Sequence, residues 1–323
     1  MSTAESEKKI ERLVDVARMY YEQDRTQSEI AVRYGISRPM VSKLLKEAKE
    51  EGIVKITIAA PGEAEGPGQG DPWLDRLQEC FGIQGGAVVE NGPNDLATNN
   101  AVANTALKLL AGLKQDRLGI GWGHIIGDLT ARIERNQGPV RIGGHICPLI
   151  GNGGVGLKNY HSNELVRVIA EHSEAEPEFI YTPACALSEQ ELKLTMALEN
   201  YHKIYQAWER LDVALVNIGN FPSVPDFASE ARYGSLLVKQ KAVGRILNYF
   251  VTEEGRVIRS DTDYAIQIPL ELLRRVRYVV GICSANTKPK ALAGVLRTGY
   301  VNYVVAPKNV VSAAAELNNE LHM

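Results

Sequence analysis

The chain holds little that would serve thiol, metal or membrane chemistry. Its 323 residues contain four cysteines, Cys80, Cys147, Cys185 and Cys283, far apart, with no CxxC pair and no histidine at zinc-ligand spacing. That pattern excludes a disulfide framework or a zinc ribbon, and the thiols are read as reduced and buried, as in cytosolic proteins. No apolar run approaches the ~20 residues that span a bilayer, and the opening MSTAESEKKIERL is polar and charged. The expectation is a cytoplasmic chain with no membrane partner. There is no P-loop, no nucleophile beside a base and no carboxylate pair at obvious catalytic spacing. Asp261 and Asp263 form a D-x-D that reads as a turn, so no metal and no cofactor are expected. A global positive field is missing too, because net charge is −3. Affinity for an anionic polymer must then come from a local cationic element.

Such an element is present. Residues 26–45, TQSEIAVRYGISRPMVSKLL, read as a complete helix-turn-helix. Thr26 followed by Glu29 is a capping box, which starts a helix at Gln27. Ile30 and Ala31 are its apolar positions, and the small Ala31 lets a second helix cross closely. Gly35 supplies the backbone freedom of a tight turn. Ser37 caps the next helix, Pro39 suits its first turn, and Val41, Leu44 and Leu45 form its buried stripe. Arg38, Met40, Ser42, Lys43 and Lys46 then face outward, where a helix lying in a major groove reaches phosphates and base edges. Double-stranded DNA is the expected partner. Arg38, Ser42 and Lys43 are assigned to base edges, and Gln27, Ser28, Lys46 and Lys49 mainly to phosphates, with Ser37 and Pro39 in the same DNA-facing set.

Residues 7–23 carry a helical apolar period that packs under this motif, and IVKITI at 53–58 is strand-like, which makes a winged variant. Residues 61–72, PGEAEGPGQGDP, hold four glycines and three prolines and read as a linker. The expected division is a winged helix-turn-helix over 1–60, the linker over 61–72, and a larger body over 73–323.

The body alternates between helical and extended periods. Helices are expected over 73–81, 95–113, 125–135, 164–172, 188–209, 242–250 and 288–299. Extended segments are expected over 86–90, 118–122, 140–150, 179–181, 213–218, 279–284 and 301–305. Apolar strands separated by helices give an α/β, doubly wound and mainly parallel sheet covered on both faces. In such sheets ligands collect at the C-terminal strand ends. Three segments fit that place: GIGWG with His124 and Ile125 behind it, GNGGVG at 151–156, and SANTK at 284–288. The middle one matches GxGxxG, but its helix opens only near Ser162 and no acidic residue is placed for a ribose, so a phosphate or sugar loop is the better reading.

These blocks together resemble the SorC family of bacterial transcription regulators, over nearly the whole chain. In the reader the resemblance rests on residues 17–58. In the body it rests on LGIGWGHII (118–126), GGVG with HSNELV (153–156 and 161–166), KAVGRILNYF (241–250) and ANTKPKALAGVLRTGYVNYVV (285–305). The resemblance implies a winged helix-turn-helix joined to an effector domain similar to sugar-phosphate isomerase-type folds. It implies a homodimer or homotetramer on a partly palindromic operator, and control by a small sugar or sugar phosphate. It places the effector at Gly121, Gly123, His124, Ile125, Asn152, Gly153, His161, Asn163, Arg245 and Lys288. Relatives usually carry an acidic residue where this chain has Arg245, and a hydroxyl residue where it has His124 and Ile125. The rival class is an enzyme, a sugar-phosphate isomerase or kinase with an appended DNA reader, which the sheet topology permits.

Overall fold

The computed structural model describes residues 3–21, 25–50, 53–54, 71–135, 140, 142–154, 156–223 and 232–320. The chain divides into two compact units, Met1–Ala64 and Glu65–Met323. The first is built from α1 (Thr3–Tyr21), α2 (Gln27–Tyr34) and α3 (Arg38–Glu50). Local chemistry sets its boundaries. The Thr26 hydroxyl accepts from the Glu29 N–H, and the Glu29 carboxylate accepts from the Thr26 N–H at 2.8 Å, which closes the capping box. Gly35 ends α2 at φ 62, and its N–H returns to the carbonyls of Ala31 and Val32. At the start of α3 the Ser37 carbonyl accepts from Met40 and Val41. Val16, Met19, Ile30, Ala31, Val41 and Leu45 form one buried cluster across the three helices. Leu13, Ala17 and Ala48 form another, with Ile53 and Val54 packed on it. The rest of the expected wing strand, 55–58, and residues 61–70 of the expected linker lie outside the described residues. Asp71 and Pro72, read as the linker's end, are the cap and first residue of a helix.

That helix, α4 (Pro72–Phe81), opens the second unit. It is followed by β1 (Gly85–Val89), α5 (Asp95–Gly112), β2 (Arg117–Ile120), α6 (His124–Arg135) and β3 (His145–Pro148). Next come α7 (Ser162–Ser173), β4 (Glu176–Pro177), α8 (Glu189–Met196), α9 (Glu199–Trp208) and β5 (Val213–Asn220). The chain continues through α10 (Leu236–Lys239), β6 (Ala242–Ile246), β7 (Tyr249–Thr252) and α11 (Leu270–Leu273). It closes with β8 (Tyr278–Ile282), α12 (Pro289–Arg297), β9 (Tyr303–Pro307) and α13 (Lys308–Glu320). The strand order is β1-β9-β8-β5-β2-β3-β4, and every neighbouring pair in it is parallel. From β2 the chain steps outward to β3 and β4, and from β5 it steps the other way to β8 and β9. The β2/β5 border is therefore where successive connections diverge, and crevices in open sheets form at that place. One large core of aliphatic side chains fills the unit, and Trp208 within it donates its indole N–H to the Pro148 carbonyl at 2.8 Å. Among the described residues no helix is long and apolar enough to cross a membrane.

Some expected elements differ. Residues 242–250 form the antiparallel β6–β7 hairpin instead of a helix. Val243, Ile246, Leu247 and Phe250 recur at helical spacing, but β5 runs past the end of β2 and its last three residues pair with β6. That unfilled edge captures the segment. Leu247 turns the hairpin at φ 50, and Asn248 anchors it through its N–H to Gln267 Oε1. The expected helix over 188–209 is broken at Leu198, whose ψ of 141 is extended. The extended stretch over 140–150 narrows to β3. The strand expected at 179–181 is replaced by β4 just before it, and α13 had no expected counterpart. Cys147 and Cys283 are buried, and burial pushes both thiols up, Cys283 to about 12, so both are neutral core groups. Asp263 of the D-x-D pairs with Arg232 and accepts from the Tyr233 hydroxyl, and no metal-binding cluster occurs among the described residues.

Candidate functional site

In the first unit, α3 buries Val41, Leu45 and Ala48 and leaves Arg38, Pro39, Met40, Ser42, Lys43 and Lys46 exposed. Ser37 and Ser28 are exposed beside them, and Gln27 is half-buried. Arg38 joins Tyr20, Arg25, Thr26, Gln27 and Ser28 in lining one open cleft, so the starts of α2 and α3 face the same space. The first turn of a helix leaves N–H groups without intrahelical partners, and those groups attract anions. Arg25 lies 3.7 Å from Glu29, both half exposed, which is a weak surface pair.

In the second unit, a cavity of about 460 Å³ opens at the C-terminal ends of β2, β5 and β8. From the β2 side it is lined by His124, Ile125 and Asp128 of α6, with Tyr160 behind them. Asn217 to Asn220 come from the end of β5, Arg245 from β6, and Ser284, Asn286 and Thr287 from the turn after β8. Asn99 of α5 completes that side. The glycines of GIGWG make the close approach possible. A Cβ on Gly121 would sit 3.1 Å from the Leu215 carbonyl oxygen. Gly123 has φ +127, and a Cβ there would lie 2.7 Å from Asn217 Nδ2. The first amides of α6, at His124, Ile125 and Ile126, have no intrahelical acceptor by position. Its N-terminus thus offers an anion both N–H groups and the positive end of a helix dipole.

Burial raises the Asp128 carboxyl above its usual range, against the opposing pull of His124 and Arg135. Neither the Asp128 carboxylate nor the Asn217 side-chain amide has a hydrogen-bond partner among the described residues. Burial also pushes the Tyr160 hydroxyl up. Tyr160 packs edge-on against both Trp122, 5.7 Å between ring centroids, and His124, 5.5 Å.

The residues that the sequence assigned to the effector fall into distinct places. His124, Ile125 and Arg245 line the cavity, and Gly121 and Gly123 shape its approach. Asn152 and Asn163 point elsewhere. Both side-chain amides donate to the Ile180 carbonyl, at 3.1 Å and 2.9 Å, and Asn163 Oδ1 accepts from the Ile180 N–H. Asn152 Oδ1 accepts from the Asn163 N–H. The Gly153 N–H donates to the Tyr160 carbonyl at 2.8 Å, and His161 caps α7 directly after Tyr160. This group forms a layer behind Tyr160 and does not line the cavity. Lys288 is exposed at the start of α12, where its backbone N–H donates to Asn220 Oδ1 at 2.7 Å, and it also lies off the lining. Asn99, Asp128, Tyr160 and Asn217 were not expected from the sequence.

The SANTK turn is closed on itself. The Ser284 N–H goes to Thr287 Oγ1, that of Ala285 to Asn99 Oδ1, and that of Thr287 to the Ser284 carbonyl. With the Lys288 amide also taken, this turn offers few backbone donors, and the α6 start is the better placed anion site of the two.

Comparison with known proteins gives a separate match in each part of the chain. Residues 73–313 match a family described as a putative sugar-binding domain, and residues 11–50 match sigma-70 region 4. The chain is 30% identical to the sorbitol operon regulator of Klebsiella pneumoniae, over 92% of this chain and 95% of that protein. It is 26% identical to the deoxyribonucleoside regulator of Bacillus subtilis, over 93% and 96%. The crystal structure of the full-length sorbitol operon regulator SorC superimposes with a TM-score of 0.73 at 29% identity, covering 96% of this chain and 98% of that one. These relatives are named as regulators, not as enzymes, which decides between the two classes left open by the sheet topology. A helix-turn-helix followed by a parallel α/β sugar-binding domain, matched along nearly its full length, makes this chain a member of the SorC family of transcription regulators.

Proposed function

We propose that the protein controls a carbohydrate catabolic operon, and that its effector is a small phosphorylated or otherwise anionic sugar bound in the cavity at the β2/β5 border. The observation that carries this reading is the convergence there of Arg245, Asn217, Asp128 and the start of α6 at His124 and Ile125, whose amides have no intrahelical acceptor by position. An anion at the helix start and hydroxyls on the amide and carboxylate groups account for the lining. The readers act in a homodimer or homotetramer, and address half-sites about 34 Å apart or a multiple of that. Effector binding shifts the balance between assemblies by its differential affinity for them. Arg38, Ser42 and Lys43 meet base edges, while Gln27, Ser28 and Lys46 hold phosphates, with Ser37 and Pro39 at the helix start against the DNA.

A thermal-shift panel of sugars, sugar phosphates, sugar acids and polyol phosphates tests the effector reading, because a ligand stabilises the native state in proportion to occupancy. A hit among phosphorylated compounds, lost with the unphosphorylated partner, supports an anion at the α6 start. Stabilisation by unphosphorylated neutral compounds alone contradicts it.

Two substitutions separate the roles. Lys43→Ala is expected to weaken operator binding by roughly 5–100-fold, a loss of about 1–3 kcal/mol, and to leave effector titrations unchanged. Anisotropy with labelled operator DNA reads the first effect and thermal shift the second, and an equal loss of both in a folded variant refutes the division of labour. Lys288→Ala is expected to weaken binding of an anionic effector more than it changes affinity for DNA. Because Lys288 is exposed, the loss stays within about 1 kcal/mol and shrinks as salt is added. An unchanged ligand titration shows that the Lys288 charge, which lies off the cavity lining, does not act on the ligand.

A further inference from the structure

The helix-turn-helix must bind a polyanion with almost no net charge of its own. Residues 1–60 hold 11 lysines and arginines against 10 aspartates and glutamates. Attraction to a phosphate backbone then depends on which cations stand clear of acids on the DNA-facing surface. The cleft shared by the starts of α2 and α3 is such a place. Arg25 lines it from just before α2 and Arg38 from the first residue of α3. No carboxylate occurs among the described residues of that lining.

Arg25 is held by its backbone, while its side chain reaches solvent. Its N–H donates to the Met19 carbonyl at 3.0 Å, and Thr26, directly after it, caps α2. The side chain is 55% exposed. When the second helix of such a motif lies in a major groove, the first crosses the phosphate backbone. A cation at the entrance to α2 therefore meets phosphates rather than base edges.

Glu29 supplies the opposing charge, and its two carboxylate oxygens have separate duties. Oε2 accepts from the Thr26 N–H at 2.8 Å and from the Thr26 hydroxyl at 3.0 Å, within the capping box. Oε1 faces Arg25 Nη1 at 3.7 Å, too long for a hydrogen bond but close enough to hold the charge. The Thr26 bonds, and after them Arg25, keep the Glu29 carboxyl below the usual carboxylate range, so it is ionised at neutral pH. A guanidinium has five N–H donors, and one loose contact does not occupy them. A phosphate competes only with this weak pair, and the cap on Oε2 is untouched.

Resting on the reading of α3 as the groove-facing helix, we propose that Arg25 binds an operator phosphate at this cleft and that Glu29 restrains it. The restraint lowers the reader's affinity for DNA of any sequence. A weak single reader makes occupancy depend on paired readers, which is the property an effector can control.

The test is anisotropy of the full chain with its operator and with a scrambled duplex of the same length, at several salt concentrations. Arg25→Gln is expected to lower affinity for both duplexes by the same factor, on the order of tenfold. It should also reduce the slope of log affinity against log salt by about one per reader. Arg25→Lys keeps the slope. Glu29→Gln retains an acceptor for the Thr26 N–H, so α2 keeps its cap. It is expected to raise affinity for both duplexes by roughly threefold at low salt, and by less when Arg25 is already glutamine. A loss confined to the operator would make Arg25 a base reader, and an unchanged slope would leave no phosphate there; either overturns the proposal. A Glu29→Gln chain that binds no more tightly, or gains equally without Arg25, overturns it too. Thermal melting checks that each variant folds, and Glu29→Gln alone decides where Arg25→Gln does not. If Lys43→Ala weakens DNA binding and Arg25→Gln does not, only the phosphate at Arg25 is lost. If neither does, the groove reading itself fails.

Discussion

Replacing Val41 by aspartate is expected to abolish operator binding while the effector domain still responds to its ligand. Val41 is fully buried at the centre of the cluster that joins α1, α2 and α3. A carboxylate there loses its water and gains no donor, at a cost of several kcal/mol. The DNA unit is small, and a core of that size supplies only about 3–5 kcal/mol of stability. The substitution therefore consumes essentially all of it. The second unit keeps its own core and its own cavity. Anisotropy with operator DNA should show a loss of at least roughly 100-fold, since about 3 kcal/mol corresponds to that factor. Ligand-dependent thermal shifts of the body should persist. Retained DNA affinity would show that the buried cluster does not hold the reader together.

Gly123→Val carries the second large effect, this time on the effector side. The backbone at Gly123 has φ +127, a region that side chains other than glycine rarely adopt, and its Cβ would lie 2.7 Å from Asn217 Nδ2 and 3.0 Å from Asn217 Cγ. Backbone strain of this type costs about 1–3 kcal/mol. The clash also moves Asn217 and the first turn of α6, two parts of the proposed ligand site. Effector affinity should fall by roughly 10–100-fold, and DNA binding without effector should be unchanged. Gly154→Ala is the matched control, because a Cβ there meets nothing within 4 Å. Titration calorimetry on both variants checks the pair. Equal, small effects at the two positions would place the ligand away from the GIGWG turn.

Local features were legible in the sequence. The capping box at Thr26 and Glu29 and the left-handed Gly35 depend on residues at most a few positions apart, and a short motif carries that information. The two turns flanking β2 and β8 were legible as places for the same reason. The lining was less so. The Asn99 side chain accepts from the Ala285 N–H, 186 positions away. Tyr160, Asn217 and Asp128 reach the cavity only because the strand order sets β2 beside β5. Asn152 and Asn163 lie off the cavity lining for a related reason. Polar residues after a glycine turn look available in sequence, yet here they satisfy the backbone of Ile180. The β6–β7 hairpin was hidden because its apolar spacing imitates a helix, and the edge of β5 that captures it is more than twenty residues upstream in the chain.

The most direct test is the affinity of the full chain for its operator, recovered by selection from fragmented genomic DNA, with and without a compound that raises the melting temperature. Measured at fixed salt, the effector should change that affinity in either direction by roughly 5–150-fold, the usual size of coupling between two sites. Arg245→Gln should reduce the response to an anionic effector without changing affinity for free operator. An operator affinity indifferent to every stabilising ligand would contradict the account: the protein would then bind DNA and bind sugars, but the one would not control the other.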